Sequence, residues 1–248
     1  MSMTSLLKCK KHDYLMDASL ALRMFFLLSV SVISADLHAS VVIGATRLYF
    51  TGAMDNVDVK VRNTGEKPFL IISKVTDESE RGKSAASGKI RSFNVVPPAF
   101  SIKGNGERLI RITKGDLSSA PADRESLYYL SVAAIPQGVQ TDNTVQIAVR
   151  SWIKLIFRPE GIKKFNLKEV NFYLKNGVLN IKNDTPYYVS IPYLNANKDV
   201  YPKNISIAPF SGMELNTCRG SGVCNVRFRL LNEDGSTSEE QEILLERG

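Results

Sequence analysis

Residues able to do acid–base or nucleophilic chemistry are few in this sequence, and their positions limit what they can do. Its two histidines, His12 and His38, both fall within the first 39 residues. That segment is laid out like an export signal: Lys8, Lys10, Lys11 and Arg23 precede an apolar run at 24–33, and small residues follow at Ser34, Ala35 and Ala39. A run of that length suits a signal h-region, whereas spanning a bilayer takes about 20 apolar residues. Cleavage is expected after Ala39, with Ala35 as the alternative. The leader is long and holds Asp13 and Asp17, so a start at Met16 or Met24 also fits. A mature chain without histidine has no Ser–His or Cys–His nucleophile pair and no imidazole metal ligand. No P-loop, GxGxxG or HExxH pattern is present. Scattered carboxylates leave a glycosidase-type pair open. Otherwise the chain reads as non-enzymatic, with no metal and no cofactor.

Export also sorts the cysteines. Cys9 leaves with the leader, and Cys218 and Cys224 remain in the Gly-rich CRGSGVC. In an oxidising compartment that spacing suits a hairpin closed by a disulfide; a pair of free thiols is the other reading. Zinc would need four ligands, and only two stand nearby. A bridge over so short a loop is worth about 2–2.5 kcal/mol by chain entropy. Removing residues 1–39 takes four basic and three acidic residues, lowering the formal charge from +7 to +6. The remaining Lys and Arg are scattered, so nucleic acid is not an expected partner.

One stretch dominates the rest: residues 144–159, TVQIAVRSWIKLIFRP. Val145, Ile147 and Val149 alternate with Gln146, Ala148 and Arg150, which is the period-2 pattern of a strand. The run reaches Pro159 without a Gly or Pro, more than twice the usual strand of about 5–6 residues. Two readings compete. The alternating residues face a sandwich core, or they are an edge offered to a partner as an added strand.

The elements around this stretch are short strands. Runs at 41–50, 57–62, 69–75, 108–113 and 127–134 are separated by Thr51-Gly52, Asn63-Thr64-Gly65, the Lys103–Gly106 turn and Pro136-Gln137-Gly138. No helix-period segment of useful length intervenes, which argues an all-β sandwich. Residues 76–89 are polar and small, and read as a surface loop. Pro159-Glu160-Gly161 breaks the pattern, and a second series follows at 170–174, 178–181, 187–191, 226–231 and 242–245. Asn176-Gly177 within it is a hairpin signal. The expected organisation is a leader at 1–39, a first domain at 40–159 and a second at 160–248.

Several strings, in order, carry a resemblance. ATRLYF (45–50), VVPPAFSIKGNGERLIRI (95–112), DRESLYYLSVAAIP (123–136), QIAVRSWIKLIFRP (146–159), NDTPYYVS (183–190) and IAPFSG (207–212) resemble landmarks of the periplasmic pilus chaperones of the PapD type. The resemblance covers nearly everything after about residue 40. It implies two immunoglobulin-like β-sandwiches around a cleft. It also implies a chaperone that caps and folds pilins by donor-strand complementation and passes them to an outer-membrane usher. Arg47 and Lys154 match the pair that binds the subunit's terminal carboxylate, a task suited to charge-assisted hydrogen bonds. Val145, Ile147 and Val149 match the donated residues. Glu125, Arg158 and Asp234 match a charged cluster linking the domains. The short connection at 137–143 looks like the short-loop subclass. The cysteine pair departs from the pattern, since a second-domain disulfide in this family typically lies nearer the C-terminus.

Lys154 has the opposite parity to Val145, Ile147 and Val149. If all four face one cleft, a bulge or strong twist near Ser151 is required. The localisation implied is periplasmic, with no membrane embedding once the leader is removed. A secreted two-domain immunoglobulin-like protein that binds a ligand through its loops is the alternative function.

Overall fold

The computed structural model describes residues 41–78, 92–138, 146–201, 204–218 and 222–246. The leader expected at 1–39, with His12, His38 and Cys9, lies outside the described residues, as do Val145 and most of the loop expected at 76–89. Among the described residues the chain is all-β apart from one turn of 3-10 helix at Leu167–Glu169, as its turn-punctuated sequence implied. The first series of strands is β1 (Val41–Ile43), β2 (Arg47–Thr51), β3 (Asn56–Asn63), β4 (Phe69–Asp77), β5 (Phe93–Val96), β6 (Ala99–Ile102), β7 (Glu107–Lys114), β8 (Ser126–Pro136) and β9 (Val149–Arg158). They form two facing sheets, ordered β1-β3-β7-β5 and β2-β9-β8-β4-β6. The second series is β10 (Val170–Lys175), β11 (Val178–Asn183), β12 (Val189–Ile191), β13 (Tyr193–Ala196), β14 (Asp199–Tyr201), β15 (Ile205–Ile207), β16 (Ser211–Leu215), β17 (Val223–Arg229) and β18 (Gln241–Glu246). Its sheets run β10-β11-β16, β12-β15 and β14-β13-β17-β18.

Buried side chains fall into two clusters, one per series. In the first, Phe93 sits among Phe50 at 5.1 Å, Tyr128 at 5.0 Å and Phe157 at 6.1 Å between ring centroids. Tilted and edge-on contacts of this kind add to the area the rings bury. The second is built on Phe172 stacked on Phe228 at 4.5 Å, with Leu179, Ile191, Leu194 and Val226 fully buried around them. Each series also buries an asparagine at a strand end. Asn63 donates to the carbonyls of Lys67 and Lys103, and Asn183 donates to those of Tyr187 and Ala208. These amides satisfy loop carbonyls that would otherwise be desolvated without partners.

Asn176 and Gly177 both have positive φ, 53° and 73°, and join Lys175 to its partner Val178. That is the two-residue turn whose twist matches an antiparallel hairpin. The Cys218–Cys224 disulfide forms at the start of β17.

The first expected strand, at 41–50, is broken. β1 pairs with β3 in one sheet, and the chain then crosses at 44–46 so that β2 pairs with β9 in the other. This switch determines how much of β9 is covered.

Candidate functional site

β9 is paired with β8 from Val149 opposite Ala134 to Phe157 opposite Ser126, all of the strand but its last residue. On its other side β2 runs parallel to it, but only from Lys154, opposite Arg47, to Arg158, opposite Thr51. Among the described residues, no strand covers that side of β9 from Val149 to Ile153. The edge is therefore open for half the strand and closed for the other half.

Neither pairing shifts register anywhere between Val149 and Arg158, so no bulge stands near Ser151 to bring Val149 and Lys154 to one face. Strict alternation then settles the faces. Val149 shares a face with Ile153, Leu155 and Phe157, which lie in the core. Arg150, Trp152, Lys154 and Arg158 project from the opposite face. Val149 and Lys154 therefore stand on opposite faces of the regular strand β9, while Ile147 lies ahead of it and Val145 outside the described residues.

Strand β9 begins at Val149, later than its alternating sequence suggested; Gln146, Ile147 and Ala148 lie ahead of it outside any strand. Ile147 is 72% exposed and Val149 59%, against 0% for Leu155. The facing sheet and β2 supply cover to the second half of the strand alone.

Arg47 and Lys154 occupy directly opposed positions on the outward face, Arg47 at the first residue of β2. Arg47 Nη2 donates to Ser190 Oγ at 2.9 Å and Nη1 to the Tyr49 hydroxyl at 3.3 Å. Beside Arg47 lies a cleft of about 390 Å³, lined by Ile43, Ala45 and Arg47 from the first series and by Asn232, Glu233 and Asp234 from the second. Two cations at one point, next to an open strand edge, can hold a carboxylate by charge-assisted hydrogen bonds.

Arg158, the last residue of β9 before Pro159, ties the two cores together. Its guanidinium donates from Nε to Glu125 Oε1 at 2.9 Å and from Nη2 to Glu233 Oε1 at 2.5 Å. It also packs over the rings of Tyr187, at 4.8 Å, and Tyr49, at 5.6 Å. The other Glu125 oxygen accepts the Tyr188 N–H at 2.7 Å, and the Glu125 N–H donates to the Pro186 carbonyl at 2.9 Å. Burial pushes the Glu125 carboxyl above the usual carboxylate range, outweighing the Tyr188 N–H and the Arg158 charge that pull it down. Arg158 is held above its ordinary value: burial works against its charge, but the hydrogen bonds to Glu233 and Glu125 prevail. A cavity of about 190 Å³ adjoins the cluster, lined by Tyr49, Phe165, Tyr187, Ser190 and Leu230 among others.

Asp234 does not belong to this cluster. Its carboxylate accepts the Ser236 N–H at 2.9 Å and the Ser236 hydroxyl at 2.7 Å, closing its own turn, and those bonds hold it below the usual range. Glu233, one residue earlier and one methylene longer, makes the contact to Arg158 instead. Ser190, Tyr49 and Tyr188 were also missed. The string NDTPYYVS marked the neighbourhood, but no spacing rule assigns its individual residues. Among the described residues no group of His, Cys, Asp and Glu is placed to hold a metal, and no helix is long and apolar enough to cross a membrane.

Comparison with known proteins converges on one family. Residues 40–163 match the family model described as "Pili and flagellar-assembly chaperone, PapD N-terminal domain", and residues 164–242 match "Pili assembly chaperone PapD, C-terminal domain". The chaperone protein FocC of Escherichia coli is 30% identical over 210 residues, covering 82% of this chain and 89% of its own. The crystal structure of the E. coli chaperone DraB superposes with a TM-score of 0.71 at 30% identity, over 84% of this chain and 97% of DraB. The SafB chaperone of Salmonella enterica, solved in complex with the SafA pilin, is represented by a match with a TM-score of 0.70 at 25% identity, over 85% of this chain and 99% of that one.

Proposed function

The chain belongs to the PapD family of pilus-assembly chaperones, which are not enzymes, and on that premise we propose that it lends the open edge of β9 to an incomplete pilus subunit. One observation carries this reading: among the described residues the edge is uncovered from Val149 to Ile153 and then closed by β2, whose first residue is Arg47 opposite Lys154. A subunit strand lying along that edge parallel to β9 would run in line with β2 and abut its beginning. Its C-terminus would then arrive between the two cations. Anchoring the terminal carboxylate there fixes the register of the whole added strand, and one residue of slip would turn every side chain to the wrong face.

Val149, Ile147 and Val145 would fill the subunit's groove from the sandwich-facing side of the strand, while Lys154 works on the opposite side. Donor residues and anchor therefore need no shared face. Exchange for a better-fitting subunit strand would release the cargo to an outer-membrane usher, without a nucleotide. A periplasmic location fits the disulfide and the leader expected at 1–39. The two domains proposed, 40–159 and 160–248, each enclose one of the two cores.

Co-expression with pilins of a chaperone–usher system, followed by isolation of complexes, tests the reading. Wild-type protein should retain a pilin in equal proportion. Arg47→Ala and Lys154→Ala should each lose it while remaining folded, because truncating one partner of a hydrogen-bonded charge pair costs about 2–5 kcal/mol of affinity. Undiminished capture by both variants would remove the anchor.

A further inference from the structure

Arg47 belongs to the first domain, yet a residue of the second holds its guanidinium. Its Nη2 donates to Ser190 Oγ at 2.9 Å, and Ser190 is 3% exposed within β12. The segment carrying Ser190 is fixed in turn. Glu125 accepts the Tyr188 N–H at 2.7 Å, and its own N–H is given to the Pro186 carbonyl at 2.9 Å. On the other side of the guanidinium, the Tyr49 hydroxyl accepts from Nη1 at 3.3 Å. A guanidinium has five N–H donors, so these two bonds leave donors over for a carboxylate.

An arginine on a long stem samples many rotamers, and a ligand that needs one of them is weakened by the cost of selecting it. A contact formed before the ligand arrives removes part of that cost. We propose that Ser190 is a positioning residue for carboxylate capture: the second domain presets the Arg47 guanidinium so that the subunit's C-terminus meets it already aimed. The inference rests on the reading of Arg47 and Lys154 as the carboxylate anchor and extends that site across the domain junction. Specificity for a free C-terminus then depends on a hydroxyl in a domain to which the added strand does not pair.

The probe is a synthetic peptide of alternating valine and serine with a lysine-rich soluble tail at its N-terminus. It is prepared with a free C-terminal carboxylate and as the C-terminal amide. Affinities of the mature chain for both forms are read by fluorescence polarisation, with melting temperatures for every variant. Wild type should prefer the carboxylate, and Arg47→Ala should erase that preference. Ser190→Ala should cut it about tenfold, the order expected for one hydrogen bond to a charged group, and leave affinity for the amide unchanged. Ser190→Thr should restore it, since Ser190 borders the 190 Å³ cavity that can take a methyl group. Should the alanine variant not fold, Ser190→Cys keeps the shape and offers only a weak acceptor.

If Arg47→Ala loses the preference and the Ser190 variants keep it, positioning by Ser190 is overturned while the anchor stands. If Ser190→Ala weakens both peptides equally, its role is structural and the inference falls. If Arg47→Ala itself retains the preference, the anchor falls and this inference with it.

Discussion

Val149 and Leu155 are similar aliphatic residues on one face of one regular strand, yet 59% of Val149 is exposed and none of Leu155. The difference lies in the neighbours. Leu155 is flanked by β2 and β8 within its sheet and covered by the facing sheet, whereas among the described residues Val149 pairs with β8 alone. Alternation in sequence reports that a strand has an apolar face. It does not report what that face rests against. In the first half of β9 the apolar face outlasts the sandwich that would bury it. Native proteins usually blunt such an edge, and its retention here fits a surface kept for another chain.

The sharpest way to break that comparison is to apply one substitution to both halves. We predict that Leu155→Ala lowers the stability of the free protein by about 2–5 kcal/mol, the cost of lost burial plus a cavity. Val149→Ala should stay within about 0.5 kcal/mol of wild type, as an exposed position does. Urea unfolding of the two variants checks both. Equal losses would mean that Val149 is core, and the two halves of β9 would no longer differ.

This division was partly legible in the sequence. The apolar run up to the break at Pro159 placed the end of the strand, its alternating start at 145 fell ahead of where β9 begins, and its length pointed to an edge in excess of what one sandwich needs. Where the cover stops was not legible, because that depends on a crossing at residues 44–46 of a segment that reads as one strand. The condition attached to Ser151, a bulge or strong twist if the donor residues and Lys154 share one face, has the same origin: Val149 and Lys154 stand on opposite faces of a strand whose pairings keep one register. The charged cluster failed differently. Glu233 and Asp234 are adjacent carboxylates, and only the turn closed by Ser236 decides which one faces Arg158.

A second contrast sharpens the open half. Ile147→Asp should leave the melting temperature of the free protein near wild type, since Ile147 is 72% exposed. Captured pilin should nevertheless be lost. Burying one aliphatic side chain contributes about 1.5–3 kcal/mol, and the aspartate would add the cost of placing an unpaired charge in an apolar groove. Thermal melting and pilin co-purification read the two effects separately. A variant that unfolds alone would make Ile147 part of this protein's own core.

The smallest expected effect lies at the far end of β9, where Arg158 leaves the strand and the burial is of charge instead of hydrocarbon. Glu125 is almost wholly buried and its carboxyl lies above the usual range, chiefly because of burial. The groups facing it are Arg158, the Tyr188 N–H and, through Arg158, Glu233. A carboxyl whose folded pKa exceeds its unfolded value binds its proton more tightly in the native state. Its contribution is therefore fully present below the unfolded pKa of about 4.3, and it is lost as pH rises through the folded pKa. Each unit of elevation is worth about 1.4 kcal/mol. Glu125→Gln keeps one acceptor oxygen, for Tyr188 or for Arg158 but not for both, and cannot ionise, so whatever fixed loss it carries, this pH dependence should vanish in it. We predict that the stability of wild type relative to Glu125→Gln falls as pH is raised from 4 to 7, measured from urea midpoints of both proteins in parallel. A difference that grows in favour of wild type over that range would show that the Arg158 pair outweighs burial. The inter-domain joint would then be held by the ionised pair, and the two ends of β9 would differ more than their burial implies.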